Sequence, residues 1–89
     1  MKHADIRVVG EVQGVGFRYM TRQKARELGL TGFVRNDPDE SVYIEAEGED
    51  EVLKKFLAWC REGLSYTEIK KVEYEFSDEL KNFNDFVIE

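Results

Sequence analysis

Cysteine, proline and histidine are almost missing from this chain. A single cysteine, Cys60, rules out an internal disulfide and any cysteine-based zinc cluster. One proline and seven glycines in 89 residues argue against a disordered or low-complexity chain. No apolar run approaches the roughly 18 residues that a membrane-spanning helix needs. The opening residues, MKHADIRVVGEV, lack the apolar stretch of a secretory signal. Positive charge is also scarce: 13 basic residues face 19 acidic ones, a net charge of −6. Binding to nucleic acid draws on basic side chains that displace counterions, so a general nucleic-acid binder is disfavoured. An anionic membrane surface is disfavoured for the same reason. A small anion is not, because a local positive pocket can operate on a negative molecule.

The composition, 42% apolar and 36% charged, is that of one globular domain spanning residues 1–89. A chain of this size buries roughly 60–65% of its unfolded surface, enough for a modest core without metal. Ile6, Val8, Gly10 and Val12 alternate with Arg7, Val9 and Glu11 and predict a strand. Tyr19 to Leu28 predicts a helix, with Met20, Ala25 and Leu28 as its apolar stripe and Gly29 as its stop. Residues 32–36 and 42–46 predict a hairpin around Asp37-Pro38-Asp39-Glu40. In the second of these strands Tyr43, Glu45 and Glu47 are expected on a wet face. Acidic residues 49–51 open a second helix, whose apolar face is Val52, Leu53, Phe56, Leu57 and Cys60. Strands at 69–76 and 86–88 follow, with a polar stretch between them. The order βαββαβ, with one more strand, predicts an α+β ferredoxin-like sandwich: a mainly antiparallel sheet with two helices on one face. That fold names no function.

One stretch does suggest chemistry. Val12-Gln13-Gly14-Val15-Gly16-Phe17-Arg18 leaves a strand through two glycines and ends on a guanidinium at the mouth of a helix. Gly14 and Gly16 can adopt φ > 0 freely and so turn successive N–H groups into one concavity. The helix N-terminus adds free N–H groups and a positive dipole end. Arg18 adds a planar fork of donors that matches phosphate or carboxylate. An ordinary turn before a helix uses the same residues, and the GxG spacing is neither a Walker A loop nor a dinucleotide fingerprint. Asn36, at the end of a predicted strand, is by itself a common turn-edge residue.

Taken together the two stretches resemble a known family. Gly10 to Arg18 is similar to the first acylphosphatase signature, G-x-V-Q-G-V-x-[FY]-R, and meets every defined position. Gly32-Phe33-Val34-Arg35-Asn36, with Val42 and Gly48, resembles the second, and the resemblance covers essentially the whole chain. It implies a ferredoxin-like hydrolase that cleaves the carboxyl–phosphate bond of acyl phosphates with water as nucleophile. It also implies that Arg18 binds phosphate, that Asn36 orients the water, and that Gln13, Gly14, Val15, Gly16 and Phe17 form a main-chain cradle for the phosphate. Glu40 stands where the family usually has a turn glycine, and Gly63-Leu64 where it often has Gly-Pro. Both departures bear on turn geometry rather than on chemistry.

The expected enzyme needs no cofactor and no metal ligands. Its leaving group is a carboxylate, whose conjugate acid has a pKa near ~4, so no general acid is required. A small-molecule acyl phosphate is the expected substrate, and inorganic phosphate the product and competitive ligand. A cytoplasmic monomer with no nucleic-acid or membrane partner completes the expectation, and the length fits a free-standing enzyme rather than one domain of a larger maturation protein. Two other readings share the fold: a non-catalytic anion-binding module, which would need no water aligner at Asn36, and an RNA-recognition module, which the acidic balance and the lack of a full RNP1 motif oppose. His3 is placed at a loose N-terminal edge and Cys60 in the core. Arg22 is taken as a solvated helix residue, Arg35 as lying on the strand face opposite Asn36, and Asp37, Asp39 and Glu40 as a solvated turn rather than a cation site.

Overall fold

The computed structural model describes residues 1–65 and 67–89. Its elements run β1 (Lys2–Glu11), α1 (Phe17–Glu27), β2 (Thr31–Asn36), β3 (Val42–Gly48), α2 (Asp50–Glu62), β4 (Glu68–Ser77) and β5 (Phe86–Ile88). The five strands form one sheet in the order β4-β1-β3-β2-β5. All pairings are antiparallel except β2 with β5. This is the ferredoxin-like arrangement expected from the sequence.

Alternation builds the core. Ala4, Ile6 and Val8 of β1, Val34 of β2, and Val42, Ile44 and Ala46 of β3 are all buried beneath the helices. Leu53, Phe56, Leu57 and Cys60 close the core from α2, and burial pushes the Cys60 thiol up to about 12, so it packs as a small apolar group. The apolar stripe of α1 differs from the expected one. Phe17, Thr21 and Ala25 are its buried residues, spaced four apart, while Met20 is exposed. Thr21 can join the stripe because its hydroxyl donates to the Phe17 carbonyl at 2.7 Å. Phe17 stacks on Trp59 of α2 with centroids 5.7 Å apart. It therefore belongs to the core as well as to the loop. Burying such a ring contributes roughly 1.5–3 kcal/mol.

The outer face of β3 is not wet. Glu45 and Glu47 are 7% and 3% exposed. The polar stretch after β4 folds across them: the main-chain N–H groups of Lys81 and Asn82 donate to Glu47, and the Lys81 ammonium to Glu45. Phe83 meets the ring of His3 at 6.1 Å and the edge of Phe33 at 5.8 Å. His3 is correspondingly well placed, 4% exposed within β1 and paired with Glu47 across the strands.

The β2–β3 turn departs from a simple solvated loop. Asp37 receives Arg7 at 2.7 Å and Arg35 at 2.9 Å on its two carboxylate oxygens. These two guanidinium hydrogen bonds, first Arg35 and then Arg7, hold the Asp37 carboxyl below its ordinary value. Asp39 and Glu40 are exposed. Glu40 adopts φ 72°, and its N–H closes the turn onto the Asp37 carbonyl. A left-handed residue after a tight turn is a position that glycine fills without strain.

Candidate active site

Two buried anchors frame the glycine loop. Val12 pins its entry and Phe17 its exit, each 1% exposed. Between them Gly14 and Gly16 take φ 76° and 81°. Gly16 is the N-cap of α1, no described side chain caps the helix, and no acidic residue lies in its first turn. The intrahelical bond from Met20 N–H to the Gly16 carbonyl leaves the preceding N–H groups free for an outside acceptor. That end of the helix is therefore electropositive and supplied with donors.

Arg18 is the second residue of α1, which begins at Phe17, two residues before the expected start at Tyr19. With Gly14, Gly16, Phe17, Tyr19 and Ile88 it lines a cavity of about 150 Å³. At ~30 Å³ per water that is room for about five waters, the scale of one phosphate group. A guanidinium fork and an uncapped helix end thus share one small concavity, with no carboxylate in its wall. A groove of about 300 Å³ on the other face is a poorer anion site, because Asp5, Glu73 and Glu75 outnumber Arg7 there.

The expected cradle residues divide. Gly14, Gly16, Phe17 and Arg18 reach the cavity. Gln13 and Val15 instead line a neighbouring groove that also carries Glu11 and Glu40, and Val15 packs against the core. The Gln13 amide donates to the carbonyls of Asp37 at 2.9 Å and Ser41 at 2.8 Å. Only the main-chain N–H of Gln13 and Val15 remains available to an anion. The motif carried no signal for this stitch, which couples the loop to the β2–β3 turn.

Asn36 closes β2. It lies two residues beyond Val34 on the core side of the strand, and Val34 pairs with the cavity-lining Ile88. Its Oδ1 is fully buried and accepts no hydrogen bond from a described residue. An acceptor in that condition costs free energy unless something donates to it. Arg35 does occupy the opposite face, stacked over Tyr43 at 4.7 Å. Arg22 is less solvated than expected: its Nε is buried and unpartnered among the described residues, and its guanidinium lies over the Tyr19 ring at 5.3 Å.

The sequence leads to no expectation of metal ligands. Among the described residues one group, His3, Asp5 and Glu45, does bring three donor atoms within 4.8 Å of one another. It sits at the other end of β1 from the loop.

A profile of the Acylphosphatase family matches residues 4–88. The acylphosphatase of Archaeoglobus fulgidus is 46% identical over 94% of this chain and 93% of its own length. That of Thermotoga petrophila is 43% identical over 99% of this chain and 97% of its own length. The fold superposes on the crystal structure of acylphosphatase from Bacillus subtilis with a TM-score of 0.96, at 34% identity and over 99% of this chain and 98% of that one. The chain belongs to the acylphosphatase family, hydrolases that cleave the carboxyl–phosphate bond of acyl phosphates.

Proposed function

We propose that this hydrolysis runs on Arg18, the N–H groups of the Gln13–Phe17 loop and Asn36. The observation that carries the proposal is the carboxylate-free cavity shared by Arg18 and the uncapped N-terminus of α1. The substrate's phosphoryl oxygens take the loop and helix N–H groups and the Arg18 fork. Phosphoryl transfer is largely loose, so stabilising those equatorial oxygens and aligning the nucleophile is most of the task. Asn36, whose Oδ1 is buried and unpartnered among the described residues and which does not itself line the cavity, turns that oxygen toward the bound substrate to accept a hydrogen from water and set its approach. The water oxygen bonds to phosphorus and the bond from phosphorus to the acyl oxygen breaks. The carboxylate departs with the electron pair, and the water's proton passes to a phosphate oxygen. No step requires His3 or Cys60.

The substrate is a small acyl phosphate, and inorganic phosphate competes for the same cavity. One domain over residues 1–89, acting as a cytoplasmic monomer, belongs to the same proposal. No described helix is long and apolar enough to cross a membrane. The test is hydrolysis of an aryl acyl phosphate beside an alkyl phosphate monoester, each with and without excess EDTA. The expected result is turnover of the acyl phosphate alone, unchanged by the chelator. Comparable rates on the monoester, or activity abolished by EDTA and restored by a divalent cation, would contradict it.

A further inference from the structure

The sheet face turned away from the helices carries a polar cluster that the hydrolytic site does not use. His3 and Asp5 project from that face of β1, and their cross-strand partners on β3 are Glu47 and Glu45. His3 Nδ1 lies 2.7 Å from Glu47 Oε2. That carboxylate is itself held by the main-chain N–H groups of Lys81 at 2.6 Å and Asn82 at 3.0 Å. An ionised carboxylate only accepts, so Nδ1 carries a proton toward it. On the other side of the ring Nε2 meets Asp5 Oδ1 at 2.9 Å and Glu45 Oε1 at 3.2 Å, and a cation binding there displaces the Nε2 proton, as metal binding to histidine requires.

One donor atom each from His3, Asp5 and Glu45 thus lies within 4.8 Å of the others, with the Tyr43 hydroxyl beside them, donating to Asp5 at 3.2 Å and to Glu45 at 2.8 Å. Around zinc, with bonds of ~2.0–2.1 Å, the ligand-to-ligand edge of a tetrahedron is about 3.3 Å. The two Nε2-to-oxygen separations are within half an ångström of that value. A buried carboxylate behind a histidine is the outer arrangement that fixes the tautomer of a metal-binding ring. Three carboxylates also outnumber the two cationic side chains, His3 and Lys81, even with the ring protonated. The side chain of Asp5 is 45% exposed and lines the open groove of about 300 Å³, so a cation can enter from solvent.

We propose that His3 Nε2, Asp5 and Glu45 bind one divalent cation of the zinc class, with Glu47 as the outer carboxylate and water completing the shell. A mixed nitrogen and carboxylate set suits such a borderline ion better than calcium or magnesium. The site's two β1 ligands, His3 and Asp5, lie nine and seven residues before Val12, roughly 23–30 Å at strand rise. The cation would clamp β1, β3 and the segment after β4 together, away from the hydrolytic chemistry.

The test is calorimetric titration of zinc chloride into the chelator-treated full chain at neutral pH. The expected result is one zinc per chain and a raised melting temperature, with the rate of acyl phosphate hydrolysis unchanged. Losing a ligand should exceed the 10–100-fold cost typical of an outer-shell partner, so His3→Gln and Asp5→Asn should each weaken binding by at least about 100-fold. The half-exposed Asp5 variant decides the matter should the buried His3 variant fail to fold. Lys81→Met removes the ammonium 2.7 Å from Glu45 Oε1 and should tighten binding. Absence of zinc binding, affinity indifferent to Asp5→Asn, or affinity indifferent to Lys81→Met would overturn the site. None of these outcomes touches the hydrolytic reading, which is read from activity with and without chelator.

Discussion

The side-chain amide of Gln13 donates to the main-chain carbonyl of Asp37 at 2.9 Å, tying the phosphate loop to the turn that follows Asn36. A second donation, to Ser41 at 2.8 Å, doubles the tie. The two proposed halves of the site, the loop with Arg18 and the strand end with Asn36, are thereby held in one frame. Gln13→Ala should remove both bonds, and both carbonyls keep a second donor. The stability cost should then be about 1–2 kcal/mol. Loss of registration should lower kcat by about 10-fold, by the sensitivity of positioned reactions to small misplacement. Melting curves and steady-state kinetics on the same preparation check this. Unchanged kcat at reduced stability would make the tie structural only.

Glu40 stands in a left-handed conformation where its relatives' signature favours glycine. A left-handed L-residue costs roughly 1–2 kcal/mol, partly offset by glycine's greater freedom when unfolded. Glu40→Gly should therefore stabilise by about 1 kcal/mol, or ~4–8 °C in Tm for a domain of this size. Glu40→Ala keeps the Cβ and should not. Thermal denaturation of the pair decides it: equal Tm values for the two variants would remove backbone strain as the cause.

Asp37 gives the fold an acid limb. Its folded-state pKa is depressed by its hydrogen bonds to Arg35 and Arg7, so it binds a proton less readily when folded than when unfolded. Its contribution is fully present above its unfolded value of about 4 and is lost as pH falls through the lower folded one. Asp37→Asn should lower Tm at pH 7, and the gap from the parent should close below about pH 4. A gap that stays constant down to pH 2 would contradict this linkage.

The legible parts of the molecule are those set by local pattern. Alternation at Ile6 to Val12 and at Val42 to Ala46 marks strands whatever packs on them, and the loop from Val12 to Arg18 carries its own turn chemistry. The outer face of β3 was not legible. Glu45 and Glu47 alternate as a solvated row would, and only the return of residues 81–83 over them buries that row. Period-two patterning reports which residues share a face, not what covers it. Phe17 was obscured for a different reason. It sits inside the loop signature, yet Trp59, 42 positions later in the chain, supplies its packing partner. The Gln13 tie and the Arg7–Asp37–Arg35 clamp likewise join residues brought together only by the completed sheet.

The division of labour between Arg18 and Asn36 is the centre of this account, and the dissociation constant for inorganic phosphate, read beside kcat in folded variants, tests it most directly. Arg18 touches phosphate throughout, so Arg18→Ala should lose both phosphate binding and turnover, and Arg18→Lys, which lacks the fork, should recover little. Asn36 touches water, so Asn36→Ala should lower kcat by roughly 100-fold or more while leaving phosphate affinity nearly unchanged. An Asn36→Ala protein with near-normal kcat, or one that loses phosphate as completely as Arg18→Ala does, would contradict the assignment.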